Sequence, residues 1–169
     1  RITGIVSAFL LIAVMTTLGT AVWVESSLRR IAVFSDYEGR PAAGAGTNWL
    51  LVGSDSREDL TAEQQAALST GGDVGSGRTD TILLVHIPGL LSGEHATMVS
   101  IPRDSYVEAP GLDKTKINGV YGEVKLDKMK DLVEGQGVDA AQAEPQAVEA
   151  GRNALIKTVG DLTGVTVDH

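Results

Sequence analysis

Trp49-Leu-Leu-Val-Gly-Ser-Asp55-Ser-Arg57 decides how the rest of the chain is read. Four apolar residues run into Gly53, and a short apolar run closed by glycine reads as a buried strand. Asp55 and Arg57 then follow its carboxyl end, where open α/β sheets place their ligands. Two further stretches share the design. Arg78-Thr-Asp80 leads directly into Thr81-Ile-Leu-Leu-Val85, and Ala96-Thr-Met-Val-Ser-Ile101 leads directly into Pro102-Arg103-Asp104. If the strand from Thr81 runs antiparallel to the other two, its start lies at the same sheet edge as their ends. Asp55, Arg57, Arg78, Asp80, Arg103 and Asp104 would then gather at one rim. Spacing alone leaves open whether these charges form a site or are solvated strand ends.

Composition narrows the function classes. The 169 residues carry 14 Lys and Arg against 22 Asp and Glu, a net charge of -8. That balance argues against general nucleic-acid binding, which needs a broad basic footprint. There is no cysteine, so thiol catalysis, disulfides and cysteine zinc sites are excluded. His86, His95 and His169 lack metal-ligand spacing, and His86 reads as a strand residue. No Gly-x-Ser-x-Gly elbow and no phosphate-binding Gly-x-x-x-x-Gly-Lys loop occurs.

Ile2 to Val24 is uncharged and rich in Ile, Leu, Val and Ala. A helix of about 23 such residues spans a hydrocarbon core of roughly 30 Å. Trp23 suits the interface. No convincing cleavage site follows Thr20-Ala21, so a retained signal anchor is preferred to a cleaved signal peptide. Residue 1 is Arg, and Arg29 and Arg30 lie on the other side, which leaves orientation open. The chain starts without methionine, and a preceding cytoplasmic tail is expected. Ser26 to Tyr37 reads as a helix continuing from the anchor, and Gly39 to Thr47 as a linker. The expected organisation is a transmembrane anchor over 1–25, a juxtamembrane helix and linker over 26–47, and a globular domain over 48–169.

Within that domain, Thr61-Ala-Glu-Gln64 resembles a capping box opening a short helix to about Leu68. Pro88 to His95 reads as the turn between two strands. Ser105 to Val107 extends as an edge strand that Pro110-Gly111 turns. Lys114 and Lys116 lie near enough in sequence to add donors for an anion. Glu123 to Glu144 reads as polar, broken by Gly135 and Gly137. Pro145 fits the first turn of a helix whose apolar face is Val148, Leu155, Val159 and Leu162, ended by Gly164. Val165-Thr-Val167 begins another strand. The chain stops inside that element, so a C-terminally truncated domain is expected.

The chemistry of the clustered charges follows from their type. Two carboxylates about 4 Å apart repel by about 4 kcal/mol at an effective dielectric of 20, so a pair such as Asp55 and Asp80 calls for a cation. Mg²⁺, with Mn²⁺ as the substitute, takes few carboxylates and completes its shell with water and phosphate. Arg57, Arg78 and Arg103 present guanidinium forks that bind phosphate oxygens in pairs. Metal, arginines and a membrane anchor together point to a diphosphate-bearing lipid. Phosphoryl transfer is mostly positioning and charge neutralisation. An aspartyl nucleophile of the haloacid-dehalogenase type is disfavoured, because Arg57 stands where a second Asp belongs.

Five stretches in order carry a family resemblance. They are Leu51-Val-Gly-Ser-Asp55-Ser-Arg57, Gly77-Arg78-Thr-Asp80-Thr-Ile82, Ser100-Ile-Pro-Arg103-Asp104, Lys116-Ile-Asn118 with Tyr121, and Leu162-Thr-Gly164-Val-Thr-Val-Asp168-His169. Behind a membrane anchor, this pattern resembles the LytR-CpsA-Psr family of cell-wall glycopolymer ligases. The resemblance implies a three-layer α/β/α domain with a mixed central sheet, holding a polyprenyl-diphosphate lipid in an apolar channel. It implies transfer of a glycan phosphate from that lipid to a peptidoglycan hydroxyl, by a single-pass membrane protein with an extracytoplasmic catalytic domain. By position, Asp55 and Asp80 resemble the Mg²⁺-ligating aspartates, and Arg78 and Arg103 the diphosphate-binding arginines. Asp104 then orients Arg103, while Arg57, Lys116 and Asn118 support diphosphate binding. The insert between Arg57 and Arg78 is longer than in many members. Family residues beyond His169 would be missing, so the chain as it stands is expected to be weakly active or inactive. The alternatives are a non-catalytic module that binds or regulates envelope polymer, and a lipid-diphosphate phosphatase.

Overall fold

The computed structural model of the chain describes residues 2–28, 39–41, 43–54, 61, 63, 67 and 78–169. The chain divides into two units, residues 1–32 and 33–169. The expected helix over Ser26 to Tyr37 therefore lies largely outside the described residues. So do Asp55, Arg57, most of the Thr61–Gln64 capping box and the glycine-rich Ser69 to Gly77.

The first unit contains helix α1, Ile2–Ser27. It is apolar on all sides rather than along one stripe, with Phe9, Leu10, Met15 and Leu18 all exposed. Its polar side chains are satisfied locally. The hydroxyls of Thr16, Thr17 and Thr20 donate to carbonyls three or four residues earlier at 2.8–2.9 Å. Such back-bonding leaves no hydroxyl needing water. Over Gly4–Ser27 the mean hydropathy is 2.2. By length and composition α1 is able to cross a membrane.

The second unit is built on an antiparallel sheet of β1 (Thr47–Ser54), β2 (Thr79–Ile87) and β3 (Thr97–Ser100), in that order. The three apolar runs of the sequence are these strands. Leu50 faces Leu84 and Leu84 faces Val99. A hairpin follows, β4 (Tyr106–Ala109) and β5 (Leu112–Lys116). Pro110-Gly111 turns it, with Gly111 at φ 76°, the geometry in which proline followed by glycine forms a type II turn.

Helix α2, Ile117–Lys130, runs into a π-helical turn over Asp131–Gly135. The sequence reading took Glu123 to Glu144 as polar and assigned no element before Pro145, whereas the helix runs through that stretch to Lys130. Two glycines, Gly119 and Gly122, mask its periodicity. Ile117, Val120, Tyr121 and Val124 nevertheless fall on one face, with Ile117 and Val120 fully buried. Lys128 and Lys130 in the last turn complement the helix dipole.

Helix α3, Ala140–Thr163, begins five residues before Pro145. Proline was expected in the first turn. Instead Asp139 caps the helix, its carboxylate accepting from Ala141 N at 2.9 Å, and alanines carry the chain past the proline. Gly164 closes it at φ 70°, as a left-handed C-terminal glycine does. The buried face of α3 is Ala143, Ala147, Gly151, Ala154, Leu155, Thr158 and Val159. Leu162, expected on that face, is exposed.

The core joins Ile82 and Leu84 of β2, Val107 and Ala109 of β4, Ile117 and Val120 of α2, and Leu155 and Val159 of α3. Helices thus cover one face of the sheet. On the opposite face Trp49, Val85 and Met98 align, beside Leu51 and Leu83, and no second helical layer lies there among the described residues. The strand pairings are antiparallel. A parallel contact adds to them at residues 168–169. His169 N donates to Asn48 O at 3.1 Å, and His169 O accepts from Leu50 N at 2.7 Å. One residue bonding both neighbours of its opposite, here Trp49, is the parallel pattern. The Trp49 and His169 rings stack with centroids 4.3 Å apart. The strand expected from Val165 does not form: residues 165–169 are extended without strand structure, and Thr166, Asp168 and His169 bond to Asn48 and Leu50 of β1.

Candidate functional site

Three chain segments meet at one edge of the sheet because β2 runs antiparallel to both neighbours. Ser54, at the end of β1, pairs with Thr79 at the start of β2. The residue after β3, Ile101, donates from its N–H to Ile82 O at 2.9 Å. Arg103 and Asp104 therefore emerge beside Asp80. Two of the three charged stretches, those bearing Asp80 and Arg103, thus come together. Asp55 and Arg57, just beyond Ser54, fall outside the described residues.

The loop after β3 is fixed by the start of α2. Lys116 precedes the helix and offers no side-chain cap. Loop carbonyls do the work instead: Ile117 N donates to Ser105 O at 2.8 Å, and Asn118 N to Arg103 O at 3.2 Å. Two donors that a helix start leaves without intrahelical partners are thereby satisfied. The buried Thr79 hydroxyl donates to Asn118 O at 3.4 Å, tying β2 to the same helix start. Asn118 is buried, and its backbone holds both neighbours in place. Thr79 and Ser105 are positioning residues with no signal in the sequence, since each acts through one backbone or hydroxyl contact.

The charged side chains form a chain of contacts. Arg103 Nη1 lies 2.8 Å from Asp80 Oδ1. Arg103 Nε is 3.8 Å from Asp104 Oδ2. Lys116 Nζ lies 2.6 Å from Asp104 Oδ1. The nearer carboxylate to Arg103 is thus Asp80, whereas Asp104 is held chiefly by Lys116. Asp104 titrates below its ordinary 3.8 for that reason. The hydrogen bond from Lys116 is the largest cause and the Lys116 charge the next; slight burial opposes them, and Arg103 and Arg78 add smaller attractions. Arg78 is exposed at the start of β2.

All of these groups reach solvent. Exposure is 57% for Arg103, 33% for Asp80, 59% for Asp104 and 61% for Lys116. Ion pairs this open add little to stability. Among the described residues their arrangement instead sets three cations, Arg78, Arg103 and Lys116, against two carboxylates, Asp80 and Asp104, a balance suited to an anion. As to a metal, no cluster of three or more His, Asp or Glu ligands occurs among the described residues. Of the two described rim carboxylates, Asp80 and Asp104, Asp80 is the one expected as a metal ligand. Such a donor fits a hard ion that keeps waters and phosphate oxygens, as Mg²⁺ does, and does not build a closed protein cage.

Residues 16–169 match the LytR_cpsA_psr family. The chain belongs to that family. Two relatives from Corynebacterium glutamicum carry the similarity further. Cell wall biosynthesis protein LcpA is 43% identical over 132 residues, which cover 76% of this chain and 25% of LcpA. Probable cell wall biosynthesis protein LcpB is 37% identical over 166 residues, which cover 98% of this chain and 33% of LcpB. The LcpB alignment includes α1. The chain spans a quarter to a third of the length of these LytR_cpsA_psr relatives.

Proposed function

We propose that this LytR_cpsA_psr protein, in its full-length form, attaches a cell-wall glycopolymer to peptidoglycan. The donor is a polyprenyl-diphosphate-linked glycan. A peptidoglycan hydroxyl attacks the sugar-bearing phosphorus, forming a new O–P bond. The bond from that phosphorus to the bridging oxygen breaks, polyprenyl phosphate leaves, and the hydroxyl proton passes to water. The helix α1 anchors the chain in the cell membrane, with the second unit outside the cytoplasm where the acceptor lies.

The observation that carries this reading is the rim at which Asp80, Arg103, Asp104 and Lys116 are linked in series by contacts of 2.8, 3.8 and 2.6 Å. Arg78 and Arg103 bind diphosphate oxygens, and Lys116 adds a third cation. Asp104 holds Lys116 in position and flanks Arg103. Asn118 supports the rim through its backbone, and Arg57 assists the diphosphate. Asp80, together with Asp55, would hold Mg²⁺ or Mn²⁺. That ion would neutralise charge developing on the diphosphate.

The test is product analysis with full-length protein, lipid-linked glycan and peptidoglycan. Phosphodiester-linked glycan on peptidoglycan together with released prenyl phosphate supports the proposal. Release of glycan phosphate to water, unchanged by peptidoglycan, would make the protein a phosphatase. That second outcome is specific because the rim is open to solvent. Tight binding of the lipid without turnover would make it a non-catalytic module.

A further inference from the structure

Tyr106 opens strand β4 with its side chain 69% exposed. The strand alternates: Val107 and Ala109 are buried, while Tyr106 and Glu108 face outward. A single exposed tyrosine on a strand is ordinary, but this one stands against the charged rim. Tyr106 is the cross-strand partner of Lys116, and Ser105 alone separates it from Asp104. Ile117 N donates to Ser105 O at 2.8 Å. The next pair along, Tyr106 and Lys116, is therefore of the non-hydrogen-bonded kind, in which facing side chains lie closest. Their Cβ atoms are about 4.5–5.5 Å apart on the outer face of the hairpin.

Fixed backbone places the ring. The Ser105 carbonyl is bonded to the start of α2, and Asn118 N donates to Arg103 O at 3.2 Å. On the other side, Val107 belongs to the core. Lys116 sends its ammonium to Asp104 at 2.6 Å, and the Tyr106 ring stays open to solvent. The same outer face is otherwise charged, with Lys114 and Glu108 3.4 Å apart and both exposed. An aromatic ring set among charges does not suit a prenyl chain, which needs apolar walls. It suits a sugar, whose C–H face packs on an aromatic ring while its hydroxyls stay with water and polar groups.

We propose that Tyr106 forms a sugar subsite at the edge of the rim, its ring stacking on the sugar that the donor carries on its diphosphate. The inference rests on the reading of Arg103 and Lys116 as diphosphate ligands. A sugar joined to phosphate through one oxygen cannot lie far from the cations that hold that phosphate, and Tyr106 neighbours one of them across the hairpin. The other described Trp and Tyr side chains of the second unit are engaged elsewhere: Trp49 stacks on His169, and Tyr121 packs at Gly151. Binding energy from this contact lets the site tell a glycosylated carrier from a bare one.

The test uses full-length protein and two probes, a prenyl diphosphate and the same prenyl diphosphate bearing one N-acetylglucosamine. Affinity for each is measured for wild type, Tyr106→Ala and Tyr106→Phe. Wild type is expected to bind the glycosylated probe about tenfold tighter than the bare one. Tyr106→Ala should lose that advantage yet keep its affinity for the bare probe, which reports an intact rim. Tyr106→Phe keeps the ring and should match wild type. Weaker binding of both probes by Tyr106→Ala would make Tyr106 a support of the rim and overturn the subsite. A sugar advantage that survives Tyr106→Ala, or that Tyr106→Phe also abolishes, overturns it too; if the KM for peptidoglycan alone then rises, the ring serves the acceptor instead. Wild type that binds the bare probe and gains nothing from the sugar overturns the subsite and leaves the diphosphate reading standing. Wild type that binds neither probe overturns both.

Discussion

Asp80 has two roles to separate. It accepts from Arg103 at 2.8 Å, and it is the described carboxylate proposed to meet Mg²⁺. Asp80→Asn keeps an acceptor for Arg103 but removes the charge a metal needs. The Mg²⁺ concentration for half-maximal transfer is expected to rise about 10–100-fold, the range usual for a damaged metal site, with the fold unchanged by circular dichroism. A normal Mg²⁺ requirement in that variant would leave Asp80 as a support for Arg103 only. Asp104 permits a pH test. Its pKa is lowered, first by the Lys116 hydrogen bond. A carboxylate depressed in the folded state stabilises the fold above its unfolded pKa, and that contribution disappears as pH falls through the folded value. The contact should therefore persist at neutral pH and fade only below about 4. Lys116→Met is expected to raise the Asp104 midpoint toward 3.8 in a carbon-detected NMR titration. An unmoved midpoint would remove Lys116 as the cause. The approach of Asp80 and Arg103 was legible, because antiparallel neighbours put a strand's start beside another's end. The Lys116–Asp104 pair was not, because a hairpin half hidden in polar sequence returns Lys116 to the loop.

At the scale of elements, the contact between α2 and α3 depends on a missing side chain. A Cβ on Gly151 would lie 2.6 Å from Tyr121 O and 3.0 Å from its ring. Backbone oxygen does not yield as a side-chain tip does, so Gly151→Ala should force the helices apart. The expected cost is about 1–3 kcal/mol, the usual range for overpacking, read as a lower midpoint in urea. An unchanged midpoint would show that the interface can shift freely. This contact explains why the buried face of α3 was only partly legible. Leu155 and Val159 announced it, but Ala143, Ala147 and Gly151 carry too little apolar surface to register in a periodic reading, and Leu162 has enough surface while facing water. The sheet was easier. Its strands are contiguous apolar runs, and Pro110-Gly111 can make few structures other than a turn.

For the whole of the second unit, Asn48 closes the chain on itself. Its side-chain nitrogen donates to Thr166 O at 2.9 Å, and its side-chain oxygen faces His86 Nδ1 at 2.7 Å. Since that oxygen only accepts, Nδ1 carries the proton. Asn48 N donates to Asp168 Oδ2 at 2.9 Å, and Asn48 O accepts from the backbone of Asp168 and His169. Residues 118 to 120 positions apart are thus joined through one buried asparagine. The sequence offered no hint of this, because a single amide at a strand start looks like any other polar cap. Asn48→Ala keeps the backbone contacts but leaves the Thr166 carbonyl and the His86 N–H without their partner. Orphaning a buried polar group such as the Thr166 carbonyl costs about 1–3 kcal/mol, and the part-buried His86 N–H adds less. The variant should lose stability at the upper end of that range, with faster amide exchange at Leu50 and His169. Those amides bond across the join, so their acceleration relative to α2 distinguishes opening of this closure from general loosening. Exchange that accelerates equally in α2 would mean that Asn48 supports the core as a whole, not the junction between β1 and residues 165–169.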